Sequence, residues 1–559
     1  MKKISLLLTA VLLATMLSGC GGKTGGGAAT ASGSAAASAN SGKKALNICR
    51  QAELATMDSC QASDQDSLMA IISTIEPLYV NNSEGVPVPG TAESYETSED
   101  GKTYTFHIRK DASWSNGDPV TANDFVYAWR RLSDPKTAAE YNTLLEVASI
   151  KNATDVISGK MPTDKLGVSA KDDKTLVVEL DYPVTFFLSL VTFPSFCPLN
   201  QKFVEEKGDK YASGVENLLS CGPYMMDSWD VGGNTYKLVK NPKYYNAGSV
   251  KVDEINFQVI KDFQQAMLAY KNGDEDFTYL SGETTISQMK NEPGFTQVES
   301  GYLWFMTPNI APKSKNYSCG LENVNLRKAV AMSYDKDAIC KDILKDGSFP
   351  ADFAIPVKLA KGPDGKDFRD TAPGILKTDK NKAKELWEQA KKELGVDTVN
   401  IELLYDDAET TPLVAQFIQN EVETNLPGVK FTLKAQPKKN RVQLMLDREY
   451  ELGLNRWGPD YADPMTYLNL WKGDAISNSG NFQNPEYDSL LKNATSGEFA
   501  NDPAKRWNAL QQAEKIILDD VAMMPVYQQG TTAMIRPGFT GLGLFPVGVA
   551  SYGFVDMNK

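Results

Sequence analysis

One histidine, His107, stands in 559 residues. That scarcity excludes a metal site built on several histidines and leaves a histidine-based triad one candidate base. Neither Gly-x-Ser-x-Gly nor His-Glu-x-x-His occurs, so two local signatures of an extracellular hydrolase are missing. Basic charge is short: 58 Lys and Arg face 71 Asp and Glu, a formal charge of -13. A net-acidic surface disfavours nucleic acid and anionic headgroups as partners. Beyond the N-terminus no apolar run approaches the roughly 20 residues that cross a bilayer, and no fixed-period repeat is visible. What is present is ordinary for a folded chain: 42% hydrophobic and 23% charged residues. The length makes three or four domains of about 150 residues.

The N-terminus carries a processing signal. Met1 to Lys3 is basic, Ile4 to Leu17 is apolar, and Leu17-Ser18-Gly19-Cys20 ends the run with small residues before a cysteine. Order and length are those of a signal peptide, residues 1-20. The ending resembles the lipobox of bacterial lipoproteins, in which the cysteine is acylated and becomes the new terminus. Residues 21-44 follow as a tether, almost wholly Gly, Ala, Ser, Thr and Asn from Gly21 to Ser41, a composition that stays flexible. The expectation is a body on the extracellular face of the bacterial membrane, held there by lipid on Cys20.

Six further cysteines follow: Cys49, Cys60, Cys197, Cys221, Cys319 and Cys340. An even number in an exported chain suggests disulfides, and buried free thiols are the alternative. Sequence order pairs Cys49 with Cys60, Cys197 with Cys221 and Cys319 with Cys340, each closing a short loop. No Cys-x-x-Cys pair occurs, which argues against a zinc or thioredoxin-like role. No metal and no cofactor is expected.

Periodicity gives the elements. Ala45 to Cys49 reads as a strand, and Ser67 to Leu78 as a helix with Leu68, Ile71, Ile72 and Ile75 on one face. Thr103 to Arg109 alternates Tyr104, Phe106 and Ile108 with Thr105, His107 and Arg109, which puts the histidine on a polar face. Asn116-Gly117 reads as the turn of a hairpin. Thr121, with Asp124 three residues on, caps a helix. Later, Val399 to Tyr405, Leu413 to Thr424, Val429 to Ala435, Lys439 to Leu446 and Tyr450 to Leu454 alternate strand, helix, strand, helix, strand. That is the signature of an α/β unit with parallel strands. Helices then start at Asn484-Pro485 and Asp502-Pro503, each an N-cap before a first-turn proline.

Parallel sheets place ligands beyond the carboxyl ends of their strands, which directs attention to Asn455 through Pro464. Asp463, before Pro464, reads as a helix N-cap. Asp460 has two readings. It is either a turn carboxylate bonded to nearby amides or, beside Trp457 and Tyr461, the partner of a ligand cation.

Several blocks carry a family resemblance. AESYETSEDGKTYTFHIRKDASWSNGDPVTANDFVYAWRRLSDP, Ala92 to Pro135, resembles the signature region of the oligopeptide-binding lipoproteins, the family 5 solute-binding proteins of ABC importers. CGPY at Cys221 to Tyr224, LVKNPKYYNA at Leu238 to Ala247, NVNLRKAVAMSYDKDAI at Asn323 to Ile339, WGPDYADPMTYL at Trp457 to Leu468 and MMPVY at Met523 to Tyr527 follow in family order. The resemblance implies an α/β fold, a two-lobed periplasmic-binding-protein-like clamp of three domains. Domain I would comprise 45-80, 201-308 and 528-559, an inserted domain II 81-200, and domain III 309-527, with hinge crossings near Asn309 and Gln528. It implies an oligopeptide held extended between the lobes, with its α-amino group on Asp460. Trp457, Gly458, Arg456 and Tyr461 would be neighbouring contacts, Gly458 and Arg456 through backbone groups, and Tyr141 would border the ligand. Partners would be the permease and ATPase subunits of an ABC importer, and the chain would be a monomer. Two positions depart from the pattern: Leu454 stands where some members carry an arginine, and Ser67 where some carry an acid.

Two other readings compete. An extracellular hydrolase lacks its catalytic inventory here. The same fold binding a signalling peptide, an oligosaccharide or a metal chelate remains open, because fold does not fix cargo.

Overall fold

The alternation of strand and helix late in the chain folds as its periodicity requires. In the computed structural model, which describes residues 44-312, 315-317, 319-407 and 410-557, strands Val429–Gln436 and Leu452–Trp457 flank Val399–Asp406, all parallel. Helices Thr411–Asn425 and Lys438–Leu446 make the crossovers. Ile401, Leu403, Leu404 and Leu452 are fully buried, as befits parallel strands covered on both faces. The signal segment and most of the tether, Cys20 included, lie outside the described residues.

These three strands end an 11-stranded mixed sheet. Its order continues through Phe295–Pro308, Met524–Ile535, Phe277–Leu280, Ala45–Arg50, Glu254–Val259 and Thr235–Lys240 to Tyr224–Trp229, and the eleventh strand, Phe349–Pro350, pairs with Met524–Ile535 off this path. The two long strands, Phe295–Pro308 and Met524–Ile535, serve both halves. Leu303 to Pro308 pairs with Leu452–Trp457, whereas Thr532 to Ile535 pairs with Phe277–Leu280. Their mutual register shifts between Glu299 and Leu303, so Ser300, Gly301 and Tyr302 form a bulge, which bends and twists a strand locally. Gln528 sits at that bulge, its Nε2 donating to the Ser300 carbonyl at 2.8 Å. Asn309 lies past the bulge, where its amide donates to the Tyr450 carbonyl at 2.8 Å.

A separate antiparallel sheet runs in the order Ala92–Thr97, Thr103–Ile108, Thr175–Glu179, Val168–Asp172. Helix Ala122–Ser133 packs on it, and its Thr121 and Asp124 form the capping box. Phe106 and Ile108 are buried. His107 faces outward, 3.6 Å from Glu96. The Asn116-Gly117 turn closes one bridge, Ser113 to Pro119, rather than a hairpin, because Pro119 has no amide hydrogen to extend a ladder. The first helix, Gln65–Thr74, stops before the expected Leu78, since Pro77 drives the preceding residue out of helical conformation. Among the described residues no helix is long and apolar enough to cross a membrane.

The expected disulfides are not formed: Cys49, Cys60, Cys197, Cys221, Cys319 and Cys340 are all free thiols. Folding sends sequence neighbours to different partners, the Cys60 sulfur to the Ala128 carbonyl and the Cys197 sulfur to that of Ile75. Burial pushes the thiols up, Cys60 and Cys340 to about 12, which suppresses the thiolate that disulfide formation requires. Thiol titration of a body beginning after Cys20 is expected to find six reactive groups in denaturant and slow reaction at most in the native state. A count near zero in unreduced, denatured protein contradicts this.

Candidate functional site

A cavity of about 560 Å³ opens beside the bulge. Arg456, Gly458, Pro459 and Asp460 form one wall, at the carboxyl end of strand Leu452–Trp457. Glu299 to Tyr302 and Gln529 to Thr532, from the two long strands, form a second. Gln65, Leu68 and Met69 of the first helix, Tyr141, Phe193 and the loop around Phe545 complete it. Carboxyl ends of parallel strands leave such crevices because the chain diverges there into loops.

Asp460 is half-buried in this wall. Its backbone amide donates to the Thr466 hydroxyl at 3.1 Å, but its carboxylate has no hydrogen bond or ion pair among the described residues. Loss of water alone pushes its pKa up to about 6. A carboxylate so placed gains from any cation brought to it. Tyr141 borders the same space, its phenol raised to about 12 by burial and then by the Asp460 charge.

The loop carrying Asp460 is pinned on both sides. Asp463 accepts from the Met465 amide at 3.0 Å from one position before the helix N-cap, which is Pro464 rather than the expected Asp463, and it also pairs with Arg506 through two bonds of 2.8 and 2.9 Å. The Tyr467 hydroxyl lies 2.9 Å from the Trp457 carbonyl. Gly458 is held against Tyr302, where a Cβ would come within 2.4 Å of the ring, so a side chain there would push the Tyr302 ring aside.

The structure brings Asp460, Arg456, Gly458 and Tyr141 to the cavity. It does not bring Trp457 or Tyr461 to its lining. Trp457 turns the other way, its indole Nε1 buried without a partner among the described residues. Tyr461 is buried and stacks on Phe186 with centroids 4.6 Å apart. That stack, with the Ala462 amide 3.4 Å from the Ser189 hydroxyl, joins the Asp460 loop to the segment following the four-stranded sheet. Leu454 and Ser67 are buried and outside the lining. Ser67 instead accepts from the Ala55 and Thr56 amides.

Tyr302, Phe193, Gln529 and Phe545 also line the cavity. No pattern in the sequence marks them, because each arrives from a different segment and only the bulge and the sheet order bring them together.

Comparison with known proteins decides the family. The model of the bacterial extracellular solute-binding proteins, family 5 Middle, matches residues 86–479. This chain belongs to that family. The family 5 assignment is supported by a dipeptide-binding protein of Lactococcus lactis, 32% identical over 98% of both chains. Among solved structures, the substrate-binding domain of an oligopeptide ABC transporter from Bacillus anthracis is 41% identical. It has a TM-score of 0.74 over 92% of this chain and 99% of that one. Listeria monocytogenes OppA bound to peptide is 36% identical, with a TM-score of 0.73 over 93% and 100%. As a family 5 protein the chain is a solute-binding receptor with the family's multi-domain α/β clamp, and not an enzyme.

Proposed function

We propose that this protein captures oligopeptides in the cavity and delivers them to the permease and ATPase subunits of an ABC importer. The observation that carries this reading is Asp460, an unpaired half-buried carboxylate at the carboxyl end of a parallel strand. A peptide's α-ammonium group is the cation that fits it. The backbone of Arg456 and Gly458 lies alongside, where an extended ligand adds as a strand through main-chain hydrogen bonds. Trp457 and Tyr461 support this wall from behind, and Tyr141 closes it. The names of the relatives, dipeptide- and oligopeptide-binding, favour the same cargo.

In this reading residues 45-80, 201-308 and 528-559 make one lobe, with 81-200 inserted, and 309-527 make the other. The hinge lies where the chain crosses between the lobes, near Asn309 and Gln528. The protein acts as a monomer. Mass spectrometry of solutes released from natively purified protein is expected to find peptides. A sugar or a metal chelate in their place contradicts the reading.

Binding should follow pH through Asp460. Burial raises the phenols of Tyr141, Tyr461 and Tyr467 around it, so they stay neutral near pH 6, and His107 is remote on the other sheet. Protonation of Asp460 removes the ammonium's partner. Affinity is therefore flat above pH 7 and falls by up to about tenfold per unit well below pH 6. Calorimetry between pH 4.5 and 8 checks this, and an unchanged affinity at pH 5 contradicts it.

We place the anchor on Cys20. One acyl chain holds a protein weakly and two hold it stably, so Cys20→Ala is expected to move the protein from the membrane fraction to the medium or leave it unprocessed. Equal fatty-acid labelling of parent and variant argues against this.

A further inference from the structure

No group of the protein bonds the Asp460 carboxylate among the described residues, so its place in the cavity wall is set by its backbone. On one side the Asp460 amide donates to the Thr466 hydroxyl at 3.1 Å. On the other, the next two residues are held by a distant part of the chain. Tyr461 is 4% exposed and stacks on Phe186, the ring planes 7° from parallel and the centroids 4.6 Å apart. The Ala462 amide donates to the Ser189 hydroxyl at 3.4 Å. Phe186 and Ser189 share one short helical turn, Phe187–Leu190 with Phe186 at its N-cap. The Phe186 ring also meets the Arg506 guanidinium at 5.6 Å, the group that pairs with Asp463. In the lobe assignment above, the stack ties residues 309-527 to the inserted residues 81-200. Ion pairs that join 201-308 to 309-527, Glu283 with Lys345 at 2.5 Å and Glu299 with Lys358 at 2.8 Å, lie between exposed or half-exposed side chains, where water and salt screen them. A largely buried aromatic stack is directional and is not screened in that way.

We infer that Phe186 is a positioning residue for the amino end of the cargo: docked on Tyr461, it fixes the backbone of the Asp460 loop so that the carboxylate meets the ammonium group already in place. The inference rests on the reading of Asp460 given above. Phe186 lies outside the cavity lining, so its effect on a ligand passes through the loop. A charge-assisted bond depends on distance and direction more steeply than apolar contact does, and a loop that must be ordered on binding costs affinity. The inserted domain thereby takes part in recognition through a residue that does not touch the ligand.

The test is calorimetric titration of the mature protein and of Phe186→Ala with Ala-Phe-Ala, free and N-acetylated, repeated in the Asp460→Asn background. Phe186→Ala is expected to weaken the free peptide about three- to tenfold, the worth of an aromatic pair. The acetylated form should change by less than about twofold, so that discrimination between the two narrows. With Asp460→Asn already present, the same substitution should cost less than about twofold, because both residues act through one contact. Phe186 is half-buried; Phe186→Leu, which keeps an apolar side chain and loses the ring, should give the same pattern and decides the matter if the alanine variant does not fold. Unchanged binding, equal weakening of both peptides, or full additivity with Asp460→Asn overturns the positioning role. In those cases a parent that prefers the free peptide leaves the reading of Asp460 standing. A parent indifferent to acetylation, or one that binds neither form, overturns both.

Discussion

Asp460→Asn is expected to lower affinity for a peptide with a free amino terminus by about two orders of magnitude. Removing one partner of a shielded ion pair leaves the other poorly compensated, at a cost of about 3 to 5 kcal/mol when burial is complete. Asp460 is half-buried, which sets the lower end of that range. Folding should not suffer. The Asp460 carboxyl is raised from 3.8 to about 6, so the folded state disfavours its ionised form. That destabilisation is complete above pH 6 and fades as the pH falls from 6 towards 3.8. A neutral asparagine removes it, and the empty variant at pH 7 should melt at or above the parent's temperature. Calorimetry and thermal melts on the same two proteins read both effects. Unchanged affinity would leave Asp460 a turn residue only.

Arg506→Ala is expected to destabilise the fold by about 3 to 5 kcal/mol, the cost of stranding a buried charge. Arg506 and Asp463 are 7% and 6% exposed and joined by two short hydrogen bonds. Arg506 also donates to the Ala494 carbonyl at 3.0 Å and covers the Phe186 ring at 5.6 Å. Its loss therefore unpins the Asp460 loop from two directions. Pairing Arg506→Met with Asp463→Asn should recover much of the stability, because no lone charge remains and the asparagine side chain can still accept from the Met465 amide. Denaturant unfolding of the parent, the single variant and the double variant measures this. A single variant within about 1 kcal/mol of the parent would mean that the pair is more hydrated than its burial indicates.

The α/β unit was legible because its apolar residues follow the periods of strand and helix closely. Strand Val399–Asp406 and helix Thr411–Asn425 differ from expectation only at their ends. Asp460 was legible as a candidate because it follows a strand that such a unit makes parallel. Its competitor Asp463 was legible as structural because a proline follows it, although its buried partner Arg506, 43 residues away, left no local trace. The cysteines were misread for a physical reason: an even count reports compartment, whereas pairing depends on which strands and loops the sulfurs reach. Trp457 and Tyr461 flank Asp460 in sequence, but Trp457 leaves the strand on the face opposite Arg456, and Tyr461 is drawn into a stack with Phe186. The bulge that shapes the cavity had no signal, since a register shift belongs to two strands far apart in the chain rather than to either alone.

The most direct measurement is a crystal structure of the protein with a bound peptide that has free termini. The account predicts density in the cavity between the Asp460 loop and the bulge, with the peptide's amino nitrogen about 2.7 to 2.9 Å from the Asp460 carboxylate, the range of a charge-assisted bond. A peptide bound elsewhere, or bound here with its amino group turned away from Asp460, would contradict it.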